Sequence, residues 1–102
     1  MSKEKKRMVI VKTAEHGSYY GALDSEGTDT MKTLTNARQI HYYHGALTLN
    51  ELASNGSKDP KLCRVKAPVA KIDLMSNMGF ELYDVSETAQ KSFDEMPNWE
   101  QK

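Results

Sequence analysis

A chain of 102 residues is sized for one domain with a single modest core. Fourteen basic and fourteen acidic residues cancel, which argues against a protein that coats duplex nucleic acid through net charge but leaves room for a local basic pocket. With 38% hydrophobic residues and a mean hydropathy of −0.69, a small monomer leaves surface that a homo-oligomer, a dimer or tetramer, would bury.

Residues 1–7, MSKEKKR, are basic but precede no apolar stretch of leader type, and they read as a flexible, solubilising tail. Met8-Val9-Ile10-Val11 is a short apolar run bounded by charge, the pattern of a strand buried on both faces. Gly17-Ser18 marks a turn, and Tyr19 to Leu23 returns as an aromatic strand. Gly21 inside that strand predicts a bulge or a close approach by another backbone or a ligand. Asp24-Ser25-Glu26-Gly27 is turn chemistry. A third strand is expected within Met31 to Tyr43, with Leu34, Ala37 and Ile40 as core contributors. Their spacing of three breaks alternation and predicts a bulge near Asn36 to Arg38.

The stretch from Leu34 to Gly56 is the hinge of the chain, a strand that turns at Gly45 and enters a short helix. Thr48 and Glu51 have capping-box spacing: Thr48 accepts from the Glu51 amide, and the Glu51 carboxylate reaches back to the Thr48 amide. Leu49, Leu52 and Ala53 share one helix face, and Gly56 supplies a left-handed stop. Ser54 to Lys61 reads as an exposed loop. Leu62 to Val65 and Ala70 to Leu74 are further strands, separated near Pro68, which cannot donate to a ladder. Gly79 turns the chain into a sixth, Phe80 to Val85. Ser86 then caps a second helix whose Ala89 and Phe93 lie one turn apart. Pro97 ends it, leaving Trp99 in a polar tail, 97–102. Residues 8–96 thus read as a single α+β domain: a mostly antiparallel sheet of five or six strands with two short helices.

The lone Cys63 permits no internal disulfide and fits a reducing compartment, and no apolar run is long enough to span a membrane. His41, His44 and Cys63 invite a metal reading. A gap of three in a strand points the imidazoles to opposite faces, however, and no second cysteine completes a set of four ligands. No nucleophile elbow, phosphate-binding glycine loop or deaminase motif is present, so no catalytic residue is assigned. The hinge carries better evidence. Tyr19, Tyr20, Tyr42 and Tyr43 offer faces on which bases stack, and Arg38 and Arg64 offer planar forks for phosphate. Asn36, Thr48 and Ser18 can read polar edges. Against this, tyrosine is an ordinary strand residue that often packs with only its hydroxyl wet.

Several segments occur in a telling order: Val9-Ile10-Val11-Lys12-Thr13, Gly17, Gly21-Ala22-Leu23, Ala37-Arg38-Gln39-Ile40, Gly45-Ala46, Thr48 to Ala53, and Ser86-Glu87 with Ala89 and Lys91-Ser92. The chain thereby resembles a family of short bacteriophage proteins with the pattern VIVRT, G, GxL, ARRIxxWxGAxxLxELA and SEAAxxS. Tyr43 and His41 stand where that family favours Trp, and Gln39 replaces its second Arg. Small phage proteins of this build include sponges that hold cyclic dinucleotides, such as 3′,3′-cyclic GMP–AMP (3′,3′-cGAMP), and so defeat CBASS anti-phage signalling. The resemblance implies a cofactor-free, non-enzymatic sponge in the host cytoplasm. Its ligand-binding residues would be Arg38 on phosphate, Tyr43 or Tyr19 on a base, and Ser18, His44, Gly45, Ala46 and Thr48 around them. A protein that contacts a host protein directly, or a minor virion component, is the alternative.

Overall fold

Six antiparallel strands curl around one core while two helices cover a second core on the opposite face. The computed structural model describes residues 7–25, 28 and 30–99, so residues 1–6 of the tail expected at 1–7, part of the turn at 24–27 and residues 100–102 lie outside it, while Arg7 is bound to the sheet, its carbonyl accepting from the Leu23 amide at 2.8 Å. The elements run β1 (Met8–Thr13), β2 (Gly17–Ser25), β3 (Met31–Tyr42), α1 (Leu49–Asn55), β4 (Arg64–Val65), β5 (Val69–Met75), β6 (Phe80–Asp84) and α2 (Glu87–Glu95). A single 3-10 turn, Pro60–Leu62, interrupts what reads from sequence as open loop. This is the small α+β fold expected, with a strand order of β4-β3-β2-β1-β6 and β5 alongside β3.

β1 is central, paired with β2 on one side and β6 on the other, and its Val9, Ile10 and Val11 are fully buried. Val9 and Val11 join Leu23, Leu34, Ala37 and Leu74 in an inner core that contains no helix residue. The sheet encloses this core itself. Its two edge strands, β5 and β6, are consecutive and joined only by residues 76–79. Laid flat, the edges would stand about 19 Å apart, and that link reaches only about 18 Å fully stretched. The turn between β1 and β2 meets the link: the His16 ring lies 3.0 Å from the Met75 carbonyl, and Ser76 donates to the Glu15 carboxylate. That hydroxyl holds the Glu15 pKa below the usual carboxylate range.

The bulge in β3 falls where the spacing predicts. Tyr20 faces Arg38 and Ala22 faces Thr35, so three steps of β3 oppose two of β2, and Asn36 adopts φ 49°. The extra residue puts Leu34 and Ala37 on the inner face together, but Ile40 belongs to the outer core. Gly21 sits opposite this bulge. A Cβ there would lie 3.0 Å from the Thr35 carbonyl and 3.1 Å from the Ala37 Cα, which accounts for a glycine within a strand.

The outer core joins Ile10, Tyr20, Ile40 and Val65 to Leu52 and Ala53 of α1 and to Ala89, Phe93 and Met96 around α2. Tyr20 and Phe93 stack with ring centroids 3.9 Å apart. Both helices are capped from sequence-local donors. Thr48 accepts from the Glu51 amide at 3.1 Å and Ser86 from the Ala89 amide at 3.0 Å. The Glu51 carboxylate reaches back one residue further than expected, to the Leu47 amide at 3.2 Å.

Arg38 is the tie between layers. It is only 8% exposed, because β3 turns it under the C-terminal end of α2. Nε donates to the Lys66 carbonyl at 2.8 Å and Nη1 to the Phe93 carbonyl at 2.8 Å. Nη2 lies 3.1 Å from the Met96 carbonyl and from Asn98 Oδ1, and 3.3 Å from the carbonyls of Val65 and Pro97. The last turn of α2 has no basic residue of its own, so this guanidinium supplies the positive charge that its exposed carbonyls favour. Burial pulls the Arg38 pKa down, with Tyr20 and Asp94 opposing.

Arg38→Lys is therefore expected to cost about 2–4 kcal/mol in a denaturant titration, since a single ammonium leaves several buried carbonyls unpaired. Lys91→Met, on the exposed side of α2, is the control and should stay within about 0.5 kcal/mol of wild type. A second expectation concerns pH. Burial raises the Tyr20 phenol from 10.0 to about 12. Its contribution to stability is thus complete below pH 10 and is lost as pH rises towards 12. Tyr20→Phe should remove that loss, on the order of 2 kcal/mol, and a plot of unfolding midpoint against pH would show it as a flatter alkaline limb.

Candidate functional site

The β4–β5 edge of the sheet is split. β5 pairs with β3 from Met31 to Ala37, and β4 pairs with it only at Ile40 and Tyr42. The link between them, which holds Pro68, leaves the ladder after the Lys66 amide bonds to the Gln39 carbonyl at 2.9 Å. The gap is a cleft of about 560 Å³ lined by Tyr19, Gln39, Lys66, Val69, Ile72 and Trp99 among others. Its lining mixes an aromatic floor, one amide and one cation, with no carboxylate.

Trp99 is not left in solvent by a polar tail. Asn98 bridges to Val65, and the Trp99 amide bonds to the Val65 carbonyl at 2.9 Å, which brings the indole back onto the sheet edge. There it stacks on His41, centroids 4.5 Å apart and planes 15° from parallel. His41 is the extra residue of a second irregularity, since Ile40 faces Val65 and Tyr42 faces Arg64. The Lys66 ammonium lies 5.3 Å and the Arg64 guanidinium 5.7 Å from the indole centroid, and Arg64 also lies 5.8 Å from Tyr42. The indole thus carries a stacked imidazole and two cations close to its ring.

The expected site residues separate into three groups. Ser18, Tyr43 and Ala46 line a cleft of about 510 Å³, and Tyr43, His44, Gly45 and Ala46 line another of about 560 Å³. Tyr19 belongs instead to the Trp99 cleft. Arg38 is withdrawn from any ligand: its guanidinium serves the main-chain carbonyls described above, so the phosphate role expected of it does not fit its position. The Gly45 turn also serves the fold rather than a ligand. A Cβ there would meet the Lys58 amide nitrogen at 2.7 Å, and the backbone that approaches it is the 57–59 loop of the same chain. His44 is tied to that loop through Asp59 at 3.2 Å. Thr48 and Glu51 occupy the start of α1, where the Thr48 hydroxyl and the Glu51 carboxylate serve main-chain amides. Among the described residues no three His, Cys, Asp or Glu side chains gather as a metal cage.

Trp99, His41 and Gln39 are the residues of this cleft that reading the sequence did not assign to a ligand. One signal was available: a tryptophan just past a helix-ending proline is costly to leave wet and must find a surface.

The family model for a domain of unknown function, DUF6948, matches residues 6–93. The chain belongs to this family. No curated protein and no solved structure matches it. The DUF6948 match includes every strand and most of α2 but stops short of Trp99, so the cleft combines family positions with a residue beyond the matched span. No helix among the described residues is long and apolar enough to cross a membrane.

Trp99 is the chain's one tryptophan, so its emission reports this cleft alone. His41→Ala should shift that emission to the red and raise its quenching by iodide, with the far-ultraviolet circular dichroism unchanged. Unaltered emission would show that the stack does not hold the indole.

Proposed function

We propose that the protein binds a cyclic dinucleotide of the 3′,3′-cGAMP kind and sequesters it without cleaving it, as a phage immune-evasion protein acting in the host cytoplasm. The observation that carries the reading is the Trp99–His41 stack with Arg64 and Lys66 beside the same indole, at the mouth of the split-edge cleft. A base entering the cleft meets Trp99, Tyr19 and Ile72 as walls, and stacking on such faces is tolerant of base identity. The Gln39 amide offers a donor and an acceptor to a base edge. Lys66 and Arg64 supply charge to the phosphates, Arg64 with the planar fork that Arg38 does not offer. The resemblance to phage nucleotide sponges supplies the biological setting. A second reading, direct binding to a host protein, is favoured by Leu47, 88% exposed beside Tyr42 and Tyr43.

Titration with 3′,3′-cGAMP should change Trp99 emission and stabilise the fold, by roughly 2.7 kcal/mol at a hundred times the dissociation constant. By calorimetry, Trp99→Ala should weaken binding about ten- to a hundredfold, and Arg64→Lys should weaken it while keeping the charge. The nucleotide should be recovered intact after denaturation. A flat response across a panel of cyclic di- and trinucleotides would move the assignment to the host-protein reading. Loss of binding in Tyr43→Ala but not in Trp99→Ala would place the ligand in the hinge clefts.

A further inference from the structure

Among the described residues β5 pairs with no strand but β3, so its other edge, apart from the Met75 carbonyl that His16 meets, has no ladder partner. Such an edge is a template for another strand unless it is blocked by charge, proline or a bulge. β5 carries its charges in a particular arrangement. In VAKIDLM the residues Lys71, Asp73 and Met75 share one exposed face, opposite Thr35, Thr33 and Met31 of β3, while Val69 pairs with the inward Ala37. The charges are opposite in sign and symmetric about Ile72. Asp73 uses one carboxylate oxygen on the Thr33 hydroxyl at 2.7 Å, which leaves the other available.

We infer that β5 pairs antiparallel with β5 of a second copy, with the two-fold axis at Ile72. In that register Lys71 of each copy faces Asp73 of the other, a cross-strand pair of opposite charge that stabilises a sheet. The neighbouring registers on the same face are opposed: centring on residue 71 sets Lys71 against Lys71, and centring on residue 73 sets Asp73 against Asp73. The edge is thus guarded against strands in general and open to its own copy in one alignment. This pairing goes beyond the nucleotide reading and does not require it. Val69 and Ile72 also line the Trp99 cleft. At about 3.3 Å per residue the two Val69 positions stand about 20 Å apart along the paired strands, while the two Ile72 positions meet at the axis, so the clefts of the two subunits lie side by side.

Light scattering of the full chain at about 100 µM, a concentration suited to a small interface, should give twice the 11.5 kDa monomer mass. Lys71→Asp alone and Asp73→Lys alone should each be monomeric, because each places like charges opposite one another. Mixing the two variants in equal amounts should restore a dimer, since every facing pair is then of opposite sign, and it would also show that both variants are folded. A monomeric wild type overturns the inference. So do single variants that stay dimeric, which would place the interface elsewhere, or single variants that fail to associate on mixing. Nucleotide binding, read by calorimetry on the monomeric variants, keeps this outcome separate from that of the proposed function.

Discussion

One guanidinium holds the two layers of this protein in register. Arg38 is offered by a strand, yet its hydrogen-bonding partners are the carbonyls of the Val65–Lys66 edge and of the chain just beyond α2. The Phe93 and Met96 carbonyls lie at a helix terminus, where the last four acceptors lack the regular intrahelical partner. A buried cation in that place satisfies them and has its own charge balanced by their dipoles. The stacked Tyr20 and Phe93, the packing of Met96 and the return of Asn98 and Trp99 to the sheet all follow from where this side chain fixes the end of α2.

Zero net charge conceals an uneven surface. One hinge cleft holds Glu51 and Lys58 together and the other is lined by no Asp, Glu, Lys or Arg, whereas the Trp99 cleft is bordered by Lys66 and Arg64 without an acid in its lining. The two regions share the strand β3 and therefore lie close, but the charges of the first balance and those of the second are of one sign. That is an effect of local arrangement that a whole-chain count does not register.

What was legible in the sequence was local. β1, both helix caps, the bulge at Asn36 and the tight contact at Gly21 each depend on residues that are neighbours in sequence or on steric rules that any partner would impose. What was not legible depended on distant partners. β4 is two residues long and exists because β3 and Asn98 pair with it. Trp99 finds His41 across the fold, and nothing within residues 97–102 encodes that contact. Arg38 illustrates the sharper failure. An arginine amid tyrosines reads equally as a phosphate ligand or as a cap for carbonyls, and only the position of α2 decides between them. Of the expected site, Ser18, Tyr43, His44, Gly45 and Ala46 do gather, while Tyr19 faces another cleft and Arg38 none.

The bulge at Asn36 has a consequence for how this fold can vary. Against β2 that residue is surplus, but against β5 it is an ordinary pairing position, since Thr35 faces Lys71 and Ala37 faces Val69. The bend and twist of the bulge fall just before β5 parts from β3 at Ala37 and β4 takes over at Ile40, where the Trp99 cleft lies. Removing one residue here would align β3 with one neighbour only by misaligning it with the other. Side chains that line the cleft are free to change, whereas the length of β3 is held from both sides.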